Sequence, residues 1–205
     1  MGARNNREAV SENRRQQRGR PREADLDQRI LVATLELLAR LGYEGTSIAA
    51  VAETVGVSKP TIYLRWASKE ELITTAVATL ARDNPENTTE DVWEALLLEI
   101  TFFHQAISRK HGMGLIGAML AQEAARPQLL EQFRQNVAGT RRARIRSVLL
   151  RGQAGGQIRQ DVDLDVVVNL LIGYFYSAYI GGGGIPEDWP GTCLELIRPG
   201  IAAAP

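Results

Sequence analysis

Apolar residues recur at helical spacing along most of the chain from residue 24 onward. Between residues 25 and 41 they fall at positions i, i+3, i+4, i+7 and i+8, which is the pattern of an amphipathic helix. The segment 1–23 has no such stripe and is rich in Arg, Gln, Asn and Glu. The pattern predicts a disordered basic arm over 1–23, because a polar segment buries too little surface to offset the entropy of ordering.

Local signals predict where the next two elements begin and end. Gly42 is expected to end the first helix, and Thr46 or Ser47 to cap a second helix. Gly56 is expected to reverse the chain with a positive φ, and Ser58 to cap a third helix at once. The spacing predicts two short helices joined by a tight turn.

The third and fourth helices carry their own start signals. The third is expected over 59–66, with Pro60 in its first turn, where a missing N–H costs little. Ser68 and Glu71 form a capping box that opens a fourth helix, which the turn at 83–85 closes.

The remainder of the chain also has helical periodicity, and its glycines and caps divide it. The predicted helices run from Thr89 or Asp91 to about His111, from Leu115 to Ala125 after an interruption at Gly112–Gly114, from Pro127 to about Gly152, from Asp163 to near Ile180, and onward from Thr192. The expected fold class is all-α, with an N-terminal three-helix domain over 24–67 and a larger helical domain over 68–205.

Composition agrees with packed helices and excludes several classes of protein. Of the 205 residues 44% are hydrophobic but only 6% aromatic, a balance that favours helices over a β-sandwich. The single cysteine, Cys193, excludes an intramolecular disulfide and any multi-cysteine metal site. No signal peptide opens the chain, so a cytoplasmic location is expected. Two histidines and no catalytic triad or metal motif predict neither enzyme, cofactor nor metal.

The formal net charge of the chain is zero, but its N-terminal segment is strongly basic. Residues 1–22 hold seven arginines against two glutamates, so the rest of the chain is net acidic. Arginines of the arm could reach the minor groove of DNA or form only a solvated tail, and both interpretations stay open. Five further arginines crowd residues 141–151, where a solvated helix face is favoured over contact with an anionic effector.

The second and third helices have the spacing of a helix-turn-helix, whose second helix fits the major groove of DNA. Ser58, Lys59 and Thr61 would present polar groups to base edges, and Tyr63 could place its hydroxyl on a phosphate. Lys69 in the first turn of the fourth helix is unfavourable there unless an anion lies close. The residues predicted to contact DNA are Thr46, Ser47, Ser58, Lys59, Pro60, Thr61, Tyr63, Arg65 and Lys69.

Residues 42–48, 52–66 and 68–72 resemble the DNA-binding domain of the TetR family of bacterial repressors. The resemblance implies that Thr46 and Tyr63 hold phosphates and that Lys69 anchors another. It further implies that the residues from Lys59 to Thr61 face bases, and that an aromatic at the position of Trp66 packs the recognition helix onto its domain.

The resemblance also implies a ligand pocket and a dimer interface in the helices after residue 93, with the interface formed by the last two. The helix over 163–180 is apolar nearly all round, which independently requires two packing partners. The length of 166–185 would also suit a membrane span, but Asn169 and the glycines from 181 favour a buried helix instead. For most of the candidate ligand-binding residues a core position is favoured over ligand contact; the candidates are Phe102, Phe103, His104, Met119, Phe133, Asn169, Tyr174 and Tyr176.

These observations predict a homodimeric repressor that binds a palindromic operator on double-stranded DNA and is released by a small-molecule effector. Two alternatives stay open at this point. One is an all-helical enzyme or ligand carrier with an incidental helix-turn-helix, and the other is a nonspecific nucleoid-type binder without an effector.

Overall fold

The computed structural model describes residues 5–80, 87–109 and 112–203, with side chains from residue 23 onward. Within these ranges the chain is all-α, as the periodicity predicts, and its one extended pairing is an isolated antiparallel bridge between Ile158 and Ala202. The helices are α1 Asn5–Gly45, α2 Ile48–Val55, α3 Lys59–Tyr63, α4 Lys69–Thr79, α5 Val92–Ile107, α6 Gly112–Leu120, α7 Pro127–Phe133, α8 Thr140–Ala154, α9 Leu164–Gly181 and α10 Trp189–Ile201, with a π-helical segment Arg134–Gly139 between α7 and α8.

The long helix α1 bends sharply at Gly42, which has φ 70° and ψ −178°. This region of backbone space is open to glycine at low cost because glycine has no Cβ. The predicted end of the first helix at Gly42 is confirmed as a break, after which one further turn runs to Gly45. At its other end α1 is helical from Asn5, where the sequence predicts a disordered arm. The Arg, Gln and Glu residues that fill this stretch are good helix formers, so a helix can propagate into it.

The first hydrophobic core is built by α1, α2, α3 and the near side of α4. Its fully or almost fully buried members include Ile30, Leu37, Val51, Ile62, Trp66, Leu72 and Ala76. Trp66 packs α3 onto the domain, which is the role that the sequence predicts for it. Capping by Ser47, Ser58 and Ser68 is confirmed, and the Glu71 carboxylate reaches back to accept a hydrogen bond from the Ala67 backbone N–H at 2.7 Å.

Helix α4 contributes to two cores at once. Leu72 and Ala76 belong to the first core, whereas Ile73 and Val77 pack against α6 and α7 together with Leu38 of α1. The N-terminal domain is therefore joined to the rest of the chain by continuous apolar packing. The residues expected to close α4, at 83–85, lie outside the described ranges.

The main core of the larger domain lies among α5, α8, α9 and α10. A buried ion pair ties α5 to α8: Glu99 accepts from Arg144 Nε and Nη2 at 2.8 Å each. Asn87 donates a third hydrogen bond to Glu99 at 2.9 Å. Two other arginines between residues 141 and 151 are exposed, as predicted for a solvated helix face. They are Arg146, which pairs with Asp165, and Arg151.

Helix α9 is long and apolar enough to cross a membrane by length and composition, and 28% of it is buried in the single chain. Its cap is the predicted Asp163, whose carboxylate accepts from the backbone N–H groups of Asp165 and Val166. The buried side contacts α5, α8 and α10, which is how a core helix of a bundle packs. The opposite side remains apolar and uncovered.

Several element bounds differ from the predictions, each for a local reason. Helix α5 starts from Asp91, one of its two predicted starts, but ends at Ile107, before the predicted end near 111, and α3 ends at Tyr63, three residues early. Helix α10 begins at Trp189 instead of Thr192, because Pro190 is well suited to a first helical turn. The helix predicted from Pro127 to about 152 is interrupted by the π-helical segment, in which a Cβ on Gly139 would stand only 2.9 Å from the Arg134 carbonyl oxygen.

The glycine-rich start of α6 is part of the helix, so the prediction of an interruption at Gly112–Gly114 is wrong. A Cβ on Gly114 would lie 2.5 Å from the Ala39 carbonyl oxygen of α1. Glycine is therefore required here for close approach of two helices, and not as a helix breaker. This contact limits the distance between α1 and α6.

Candidate nucleic-acid interface and ligand cavity

The helix-turn-helix is held by capping at both sides of its turn. Gly56 ends α2 in the left-handed conformation, φ 75° and ψ 38°, and donates to the Ala52 carbonyl at 2.9 Å. Ser58 then caps α3, and its hydroxyl lies 2.8 Å from the Thr61 hydroxyl. The positive φ predicted at Gly56 is thus confirmed, and it lets α3 leave α2 after a turn of three residues.

The start of α3 presents a polar surface to solvent. Ser58, Lys59 and Pro60 are exposed, Thr61 is half-buried, and the ring of Tyr63 is 53% exposed. Ser47 at the start of α2 is exposed as well. Beneath this surface Ile62 is fully buried in the first core, so the short helix has one anchored side and one open side.

Two residues predicted to contact DNA have other roles. The side chain of Thr46 is only 1% exposed and donates to the Gly42 carbonyl at 2.8 Å, so it closes the bend in α1 and cannot reach a phosphate. Arg65 pairs with Asp27 of α1 and donates to the Thr61 carbonyl at 3.0 Å. This arginine positions α3 on α1, and its guanidinium is not presented as a DNA contact.

Leu64 is a residue of this surface that sequence reasoning missed. Its side chain is 84% exposed directly after Tyr63, and an isolated exposed leucine needs no explanation by itself. On a groove-reading helix, however, an apolar side chain can contact the methyl group of thymine.

Lys69 is half-buried beside Tyr43, with its Nζ 4.2 Å from the ring centroid. Arg126 also lies over this ring at 4.0 Å and pairs with Glu44 at 2.8 Å. Burial lowers the pKa of the Lys69 ammonium, the nearby Glu44 carboxylate opposes this, and the Arg126 charge adds to it. The cation–π contact and Glu44 stabilise Lys69 without a phosphate, so its predicted role as a phosphate anchor stays a prediction.

A cavity of about 260 Å³ lies between α1 and the helices α5, α6, α7 and α8. Of the eight candidate ligand-binding residues only Phe133 lines it. The lining is otherwise aliphatic with three charged residues, and it consists of Val32, Leu35, Glu36, Ala39, Leu80, Ala106, Ile107, Arg109, Gly112, Leu115, Ile116, Phe133, Val137 and Arg141.

The other seven candidates lie elsewhere. Phe103, His104, Tyr174 and Tyr176 pack with Phe175 and Trp189 as an aromatic cluster, with ring centroids 5.4 to 6.3 Å apart. Met119 is fully buried in the core between α1 and α6, Phe102 borders only a very small void, and Asn169 is exposed. These seven residues therefore do not line the cavity beside α1, and the four aromatic and imidazole rings among them are packed against one another and against Phe175 and Trp189.

Helices α9 and α10 leave a broad apolar surface uncovered. The exposed members are Val166, Leu170, Tyr174, Tyr179, Ile180 and Leu196. Large exposed apolar patches mark interaction surfaces. The surface lies on the two helices that the resemblance assigns to dimerisation.

The fold and the exposed α3 together define a helix-turn-helix regulator with a helical regulatory domain. The family model described as "Bacterial regulatory proteins, tetR family" matches residues 30–91, and the model described as "Tetracyclin repressor-like, C-terminal domain" matches residues 86–197. The second match alone covers more than half of the chain. The protein therefore belongs to the TetR family, which is a family of transcriptional regulators and not of enzymes.

Curated relatives agree over most of the chain. The chain is 28% identical to the "Uncharacterized HTH-type transcriptional regulator YdeS" of Bacillus subtilis over 191 residues, which is 91% of this chain and 94% of the relative. It is 31% identical to the "Uncharacterized HTH-type transcriptional regulator Mb1581" of Mycobacterium bovis over 158 residues, 75% of this chain and 74% of the relative.

Solved structures share the fold at lower identity. A transcriptional regulator from Saccharomonospora viridis in complex with choline has a TM-score of 0.70 at 20% identity, covering 88% of this chain and all of that one. FadR from Bacillus subtilis in complex with stearoyl-CoA has a TM-score of 0.67 at 17% identity, covering 85% of this chain and 98% of that one. At these identities the likeness concerns the fold alone.

Proposed function

We propose that the protein is a cytoplasmic, homodimeric repressor that binds a palindromic operator and is released by a small molecule. The observation that carries the proposal is the exposed start of α3, where Ser58, Lys59 and Tyr63 face solvent while Ile62 and Trp66 hold the helix on its core. Side chains at the start of a recognition helix reach base edges and phosphates in the major groove.

A dimer follows from the uncovered side of α9. Its exposed apolar residues, together with Leu196 of α10, would be covered by the same surface of a second copy, as in an isologous two-fold interface. A two-fold dimer places two recognition helices on one duplex, and an operator with matching symmetry then binds both.

The cavity supports control by a small molecule because it is partly lined by α1, the helix that supports α3. A ligand that fits the cavity better in one orientation of α1 shifts the dimer toward that orientation. By linkage, the ligand and DNA weaken each other by the same factor, typically about 1–3 kcal/mol. The ligands of the two structural neighbours, stearoyl-CoA and choline, carry opposite charge, so they do not fix the chemistry of this effector.

The test is selection of bound duplexes from a random DNA library with the full chain, followed by anisotropy titrations. We expect an inverted repeat whose half-site centres are roughly 34–36 Å apart, which is one DNA turn. Equal affinity for the selected duplex and a random duplex would refute the repressor and support a nonspecific nucleoid-type binder.

Lys59→Ala is expected to weaken operator binding about tenfold or more, whereas Arg159→Ala, which removes an exposed cation far along the chain, should leave it unchanged. If Lys59 contacts a phosphate, the slope of affinity against salt should fall by about one. If it contacts a base, selectivity should relax at one position of each half-site. Equal affinities of the two variants would exclude α3 as the reading helix.

A further inference from the structure

The cavity beside α1 has a mostly apolar lining with three charged residues. Val32 and Leu35 of α1 line it together with Leu115 and Ile116 of α6. Its two cations, Arg109 and Arg141, are close enough for the charge of one to act on the other. The single acid of the lining, Glu36, is exposed and so is well hydrated.

Arg141 is the half-buried cation of this cavity. Among the described residues no Asp or Glu forms an ion pair with it, in contrast to Arg144 one turn further on, which is paired with Glu99. Burial lowers the pKa of the Arg141 guanidinium, and the Arg109 charge lowers it further. A partly desolvated cation without a carboxylate is costly, and an anion in the cavity would remove that cost.

The guanidinium of Arg141 suits an anionic group. It can donate two hydrogen bonds to one carboxylate. Burial also raises the pKa of the Tyr176 hydroxyl, and the charges of Arg141 and Arg142 act in the opposite direction, but Tyr176 lies outside the lining. Arg141 is therefore the group of this cavity that fits an anionic oxygen group.

The volume limits the rest of the ligand. An engineered cavity of about 150 Å³ that is lined by apolar residues binds benzene, which has six non-hydrogen atoms. In proportion, the cavity of about 260 Å³ holds roughly ten. Its aliphatic lining favours a flexible alkyl chain over a polar body.

We propose that the effector is an amphipathic carboxylate whose alkyl chain fills this cavity while its head group binds Arg141. The inference rests on the proposed function and assigns the chemical class of its effector. Because the alkyl chain contacts Val32 and Leu35, occupancy acts directly on the helix that carries α3 by way of Asp27 and Arg65.

Titration calorimetry of the full-length dimer with three probes of equal chain length tests the proposal. The probes are octanoate, 1-octanol and octylammonium. We expect octanoate to bind at least tenfold more tightly than 1-octanol, because a charge-assisted bond to arginine is added, and octylammonium to bind most weakly. Absence of octanoate binding, or affinities that do not depend on the head group, would overturn the proposal.

Variants locate the binding site. Arg141→Gln is expected to weaken octanoate about tenfold or more without changing the affinity for 1-octanol. Arg151→Gln, the same change at an exposed position further along the same helix and outside the lining, should alter neither. Ala106→Phe fills the cavity without changing charge and should abolish binding of both probes. This variant decides the question even if Arg141→Gln does not fold, since full octanoate affinity in Ala106→Phe would place the ligand elsewhere.

The two proposals fail separately. If the selected operator is bound but octanoate neither binds nor weakens operator affinity, the repressor stands and the effector class is wrong. If octanoate binds as expected but no duplex is preferred over random DNA, the ligand class stands and the operator function is wrong.

Discussion

The ion pair between Glu99 and Arg144 should make the larger domain strongly sensitive to a single substitution, namely the replacement of Arg144. In Arg144→Met the Glu99 carboxylate, whose side chain is 5% exposed, loses both guanidinium hydrogen bonds and, among the described residues, keeps the Asn87 amide as its donor. Removing one partner of a buried pair costs about 3–5 kcal/mol. Arg144 is 24% exposed and Asn87 remains, so we expect the lower end, about 3 kcal/mol.

Urea unfolding at one fixed protein concentration measures this loss, because self-association would make the stability depend on concentration. In a thermal scan about 3 kcal/mol corresponds to a decrease of about 6–12 °C in Tm for a chain of this size. The control is Arg146→Met in the same helix, which breaks an exposed pair with Asp165 at 3.2 Å and should cost only about 0–1 kcal/mol.

The double variant Glu99→Met with Arg144→Met separates the cost of an unpaired charge from the value of the pair. Replacing both partners by apolar side chains should recover most of the stability that Arg144→Met alone loses. The reasoning is refuted if Arg144→Met costs no more than Arg146→Met, or if the double variant is at least as unstable as the single one.

Two further predictions follow from helix packing and from burial. Gly114→Ala should destabilise the fold by about 1–3 kcal/mol, because its Cβ would meet the Ala39 carbonyl oxygen at 2.5 Å, whereas Gly117→Ala in the same helix meets nothing within 4 Å and should stabilise by up to about 1 kcal/mol in urea unfolding. Burial raises the pKa of the Cys193 thiol, so its reaction with a disulfide reagent at pH 8 should be slow in the folded chain and fast in urea; an equal rate in both would contradict its burial.

The sequence predicts well those features whose causes are local. Ser47, Ser58, Ser68 and Asp163 each satisfy backbone N–H groups two or three residues away, so a short stretch of sequence holds the whole signal. The turn at Gly56 has the same character, since only its own backbone requires a positive φ.

The features that the sequence did not predict depend on distant partners. Arg65 is 38 residues from Asp27, and nothing near either residue indicates that they pair. Thr46 resembles an exposed cap, but the bend at Gly42 turns its hydroxyl inward. The aromatic candidates fill a core, while the cavity lies between helices whose residues are up to about a hundred positions apart, so its lining could not be assembled from periodicity alone.

Because α4 supplies side chains to two cores, the part of the chain that reads DNA is not a detachable module at residue 67. A chimera that joined residues 1–67 of this chain to another regulator would lack Leu72 and Ala76. The fourth helix of that regulator would then have to pack against the first core of this chain on one side and against its own larger domain on the other. Exchange of recognition specificity between relatives should therefore succeed when the junction is placed after α4, so that α4 is transferred together with the N-terminal domain whose core it completes.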